Sequence, residues 1–206
     1  MRKHTIIFLL GALAVISLPL SFFISQTYSG GYGVSVSGRY LEDFQWSDIN
    51  GQRHQFSDWN NYATFLFVGY LSCQVICHKR IQDMLSIDDQ LTTNNVRFLF
   101  ITIDPESDTT DLRHLTIDSR SRNFFSGATS ENELDLLLSQ LNENFHRNAN
   151  DVAHNGNIYL VTHHRKIERI YSHLKLETTR IINDIPNQYF QKKSFDLPNN
   201  LFFSSL

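Results

Sequence analysis

The chain has 206 residues, 18 basic against 21 acidic side chains, a net charge of −3 and a 41% hydrophobic content. No basic run exceeds Arg165-Lys166 or Gln191-Lys192-Lys193, which excludes a nucleic-acid binder built on a positive surface. With only two cysteines, a zinc site of four thiolates is excluded as well.

In chain order, Arg2, Lys3 and His4 precede Ile6–Ile24, nineteen residues without a charge. A secretory signal core spans roughly 7–15 residues and ends in a small-residue cleavage site, whereas this run is longer and lacks a clear Ala-x-Ala. About 20 apolar residues cross a bilayer, so residues 1–27 read as an uncleaved anchor, with a removed signal peptide as the alternative. The early basic residues keep the N-terminus cytoplasmic. The expectation is therefore a single-pass inner-membrane protein with its domain on the periplasmic side. Removing Arg2 and Lys3 leaves 16 basic against 21 acidic residues, or −5. Residues 28–38, rich in Gly and Ser, read as a flexible tether, and 39–206 as one domain.

Residues 40–58 carry Asn50-Gly51, a short-turn signal, and predict a hairpin. Tyr62–Tyr70 is apolar almost throughout and predicts a strand buried on both faces. Cys77–Leu91 predicts a helix, and Val96–Ile103 a second buried strand stopped by Asp104-Pro105. Asp108, read as a helix cap, opens a helix over Asp108–Leu115. Ser130-Glu131-Asn132-Glu133 is a capping box for a helix ending at Leu141, with Leu134, Leu137, Leu138 and Leu141 on one face. Asn157–Thr162 and Ile167–Tyr171 form a hairpin across His163-His164-Arg165-Lys166, and Thr178–Ile185 a last helix. This order predicts an α/β, thioredoxin-like domain: a mixed central sheet flanked by helices, with an N-terminal hairpin extension.

The two cysteines stand together in Ser72-Cys73-Gln74-Val75-Ile76-Cys77-His78, where a buried strand feeds a helix. Helix amides favour thiolate over thiol there, and the thiolate attacks disulfides or binds metal. Cysteines at i and i+4 put their Cβ atoms roughly 5–6 Å apart on one face, so both sulfurs can converge on one ion or bond to each other. Thiolates suit Cu(I), and an added imidazole accommodates Cu(II). Three uses stay open on these residues alone: a copper site, a redox dithiol without metal, and an inert bridge in an oxidising compartment. A thiol peroxidase finds little support in Leu71-Ser72-Cys73. His78 is expected on another helix face in solvent, and His163 and His164 at an exposed hairpin tip.

Three blocks resemble one family. Phe67-Val68-Gly69-Tyr70-Leu71-Ser72-Cys73-Gln74-Val75-Ile76-Cys77 resembles the Sco/SenC motif of an apolar strand, Gly-Tyr and Cys-x-x-x-Cys. Phe100–Thr109 looks like the family's strand ending in Val-Asp-Pro-x-x-Asp-Thr. Val152-Ala153-His154-Asn155-Gly156-Asn157-Ile158-Tyr159-Leu160-Val161 resembles its histidine segment. The blocks fall in family order within residues 40–173. The resemblance implies a thioredoxin-like fold, copper as the bound ion, and Cys73, Cys77 and His154 as its ligands. It further implies a copper-accepting client such as a cytochrome oxidase subunit, with a thiol–disulfide oxidoreductase acting through Cys73 and Cys77 as the alternative. The chain departs from the family pattern at Gln74 and Val75, where Pro and an acid are usual, at His78 for a second Pro, and at Ala153 for an Asp. Those positions surround the ligands and tune them.

Overall fold

The structure, a computed structural model, describes residues 31–190 apart from Gln74, Val75, Asn144, Phe145, Ala149, Asn150 and His154. The expected anchor lies outside the described residues, as do the first residues of the tether and His154. Among the described residues no helix is long and apolar enough to cross a membrane.

The sheet is built outward from two strands that the sequence marks as buried on both faces. These are β4 (Ala63–Gly69) and β5 (Val96–Thr102), where β1 (Val34–Ser35), β2 (Gln45–Ser47) and β3 (Arg53–Gln55) precede them in the chain. Every residue of β4 is buried. The two strands run parallel, with Phe65 opposite Phe98 and Phe67 opposite Phe100. Phe65 and Phe98 stack at 5.3 Å between ring centroids, and Phe98 stacks on Phe124 at 4.6 Å. Continuous apolar content is what a central parallel pair requires, since neither face meets water.

Further along come β6 (Phe124–Ala128), the antiparallel pair β7 (His146–Asn148) and β8 (Asp151–Ala153), then β9 (Ile158–Thr162) and β10 (Lys166–Tyr171). Eight strands make one mixed sheet in the order β1-β10-β9-β4-β5-β6-β2-β3, and β7-β8 stands apart. β6 is parallel to β5, while β9 is antiparallel to β4. The helices are α1 (Ile76–Asp88), α2 (Thr110–Arg113), α3 (Glu131–Leu141) and α4 (Thr178–Asn183). On α1 the inward positions Cys77, Arg80, Ile81, Met84 and Ile87 recur at helical spacing. Ser130 caps α3 as expected, its hydroxyl accepting from the Glu133 amide at 3.4 Å, and Leu137 and Leu141 are buried.

Four sequence expectations shift. Part of the tether is built in: the amides of Tyr32 and Gly33 donate to the Asp184 carboxylate at 2.9 and 2.8 Å, and β1 pairs with β10. Glycine and serine content suggested slack there, but Tyr32 supplies an aromatic face that stacks on Tyr171. Strand β6 was not expected, because Ser126 and Gly127 interrupt its apolar run. Gly127 is needed there, since a Cβ would lie 2.5 Å from the Trp46 ring. The β7–β8 pair was also missed. The helix after Pro105 starts at Thr110 and continues as a π-helical turn over His114–Asp118.

Candidate metal centre

The cysteines lie beyond the carboxyl end of β4, the end of a parallel sheet where sites are usually made. The turn is held from below by Asp108. Both of its carboxylate oxygens accept from the Leu71 amide at 3.0 Å, and Thr102 Oγ1 donates to it at 2.6 Å. Burial pushes the Asp108 carboxyl above its usual value, and the hydrogen bonds from Thr102 and Leu71 pull the other way. Arg113, buried beside it, donates from Nε to the Asp108 carbonyl at 3.2 Å and from Nη1 to Ser126 Oγ at 3.4 Å. Ser126 in turn donates to Asp118 at 2.5 Å. Asp108 is thus a support of the cysteine turn rather than the expected helix cap. Thr109 takes that task, its hydroxyl accepting from the Leu112 amide at 3.3 Å.

Both cysteines carry thiols, and both are buried. Cys73 Sγ accepts the Cys77 amide hydrogen at 3.4 Å, across the first turn of α1. Burial drives the Cys77 thiol far above its ordinary range. The Tyr70 amide opposes this, while the Cys73 sulfur and the Asp108 charge add to it. The expectation that helix amides would favour thiolate is therefore reversed at Cys77, because desolvation outweighs the amide end. Gly69 leaves the space the sulfur occupies: a Cβ there would stand 3.1 Å from Cys77 Sγ. Two adjacent sulfurs, shielded from water and next to donors, suit a soft monovalent cation that replaces the thiol protons.

His154, the third expected ligand, lies outside the described residues, but its neighbours do not. The Asn155 amide donates to Glu143 Oε2 at 3.2 Å, and the Tyr159 hydroxyl donates to Glu143 Oε1 at 2.6 Å. Gly156 is buried in a left-handed conformation, φ +63°, with Ile76 so close that a Cβ would lie 2.5 Å from Ile76 Cγ1. The segment after His154 is thereby packed on the residue next to Cys77. Among the described residues no cluster of three His, Cys, Asp or Glu side chains is placed to hold a metal.

The three other histidines singled out in the sequence lie at the surface. His78 is exposed, yet its ring turns back so that Nδ1 lies 2.8 Å from the Cys73 carbonyl. Its exposure agrees with the expected solvated face, and the contact to the Cys73 carbonyl is an addition to it. His163 and His164 are exposed at the β9–β10 tip, and His163 Nδ1 lies 2.9 Å from the Asn60 carbonyl.

A family profile described as SCO1/SenC matches residues 35–189. Among solved structures, copper-bound ScoI of Arabidopsis thaliana is similar at a TM-score of 0.64 and 18% identity, over 72% of this chain and 97% of that one. Copper-bound ScoI of Bradyrhizobium japonicum gives 0.58 and 21%, over 73% and 99%. The apo Sco1 of Thermus thermophilus gives 0.64 and 18%, over 75% and 95%. At such identities the likeness is one of fold, and it agrees with the mixed sheet flanked by helices. No curated protein matches the chain by sequence.

Proposed function

This chain belongs to the SCO1/SenC family, and from that premise we propose that it is a membrane-tethered copper carrier with an extracytoplasmic domain. Copper is its cargo, held by Cys73, Cys77 and His154, and passed by ligand exchange to a cuproprotein such as a respiratory oxidase subunit. The observation that carries this reading is the adjacency of the two buried thiols. They flank the start of α1, and Gly156, two residues after His154, packs on Ile76, the residue before Cys77. Copper-bound relatives of the same fold support the choice of cargo. The uncharged run Ile6–Ile24 behind two basic residues supports the tether and the periplasmic side.

The adjacency of the two sulfurs also suits a thiol–disulfide oxidoreductase. Incubating the reduced, copper-loaded chain with a copper-accepting domain, and separately with a disulfide-bonded partner, separates the two functions. A carrier hands over copper while reducing the disulfide slowly. Rapid turnover of the disulfide without measurable copper affinity would make it an oxidoreductase.

A further inference from the structure

Resting on the carrier reading, we propose that Arg80 is a positioning residue for the metal site: it seats segment 155–157, the residues that follow the proposed ligand His154 in the chain, against the cysteine end of α1. Arg80 follows Cys77 by three residues on the inward face of α1 and is completely buried. Its Nε donates to the Gly156 carbonyl at 2.6 Å. Its Nη2 donates to the His173 carbonyl at 3.0 Å and to that of Ser172 at 3.4 Å. Its Nη1 donates to Asp83 Oδ2 at 3.2 Å. One guanidinium therefore ties α1 to two separate loops, a task its planar fork of five donors suits and an ammonium does not.

A cation at a position shared with Ile81 and Met84 is costly to desolvate, and core packing alone would be served better by an apolar side chain. What the guanidinium supplies is direction. Gly156 is gripped twice from α1, by Arg80 at its carbonyl and by Ile76 at its Cα, and these two residues bracket Cys77 in the chain. Glu143 holds the same segment through the Asn155 amide. Contacts from Arg80, Ile76 and Glu143 together restrain residues 155 and 156. Groups that orient a ligand without touching the metal commonly change affinity by roughly ten- to a hundredfold when removed.

The test uses the full chain, with Arg80→Met keeping the side chain's length while removing its donors. In the metal-free protein, amide hydrogen exchange should quicken in 155–158 and around residue 173, while β4 and β5 stay protected. Cu(I) affinity should fall roughly ten- to a hundredfold, with no further loss when Arg80→Met is combined with His154→Ala. Gly156→Ala attacks the same seat through Ile76 and should give the same pattern, so a misfolded Arg80 variant does not end the test. Unchanged exchange at 155–158, or affinity losses that add in the double variant, would overturn the proposal. If His154→Ala alone leaves affinity untouched, the ligand assignment has failed, and the seating stands or falls by exchange alone.

Discussion

Asp108 holds the Leu71 amide and the Thr102 hydroxyl beneath the cysteine turn, and it faces the buried Arg113. Asp108→Ala leaves the buried Leu71 amide and the Thr102 hydroxyl without their acceptor, while Arg113 keeps the residue 108 carbonyl, Ser126 and Asp118, so thermal or denaturant unfolding should register a loss of about 1–3 kcal/mol. Burial raises the carboxyls of both Asp108 and Asp118. A raised folded value means the native state holds the proton more tightly than the unfolded chain. The stabilising contribution is then fully present below the unfolded value and lost as pH rises through the folded one. Relative to Asp108→Asn, the wild-type melting temperature should therefore improve on acidification from neutral toward about pH 4. A gap that does not change with pH would show that Asp108 is not titrating this way. The cysteine pair was legible in the sequence because thiols are rare and their spacing is fixed by helix geometry. The role of Asp108 was not, because an acid followed by Thr before a helix reads equally well as a cap, and Thr109 is the residue that caps.

Strand β4, the turn after it and α1 form the unit that presents the sulfurs, and Gly69 is where they meet. A Cβ at Gly69 would stand 2.9 Å from Phe67 Cζ and 3.1 Å from Cys77 Sγ. Gly69→Ala should cost about 1–3 kcal/mol by overpacking and should speed alkylation of Cys77 in the metal-free protein as the sulfur is displaced. Unaltered stability together with unaltered alkylation would mean that the pocket is looser than its contacts suggest. Strands β4 and β5 announced themselves through uninterrupted apolar runs, and α3 through its cap and leucine stripe. Strand β6 did not, because its Gly127 serves the Trp46 ring rather than the strand pattern. Likewise β7 and β8 are three-residue pieces without alternation. Element type followed local pattern wherever the pattern was long, and failed where a distant side chain set the choice.

Across the molecule, the domain begins where Tyr32 and Gly33 reach Asp184, several residues earlier than the glycine-rich composition indicated. The chain before that latch carries the uncharged run Ile6–Ile24. A reporter active only in the periplasm, fused after Leu206, should be active and remain with membranes through a carbonate wash. Release into the soluble fraction with a new N-terminus near residue 27 would identify a cleaved signal instead. The fold class was readable from element order because a βαβ unit of buried strands leaves few ways to cover both faces of a sheet.

If Cys73 and Cys77 together hold copper, as proposed, anaerobic titration of the reduced chain with Cu(I) will read it out. Wild-type protein should take up one copper per chain, and Cys73→Ser/Cys77→Ser should take up none. Wild-type stoichiometry persisting in that double variant would contradict the claim.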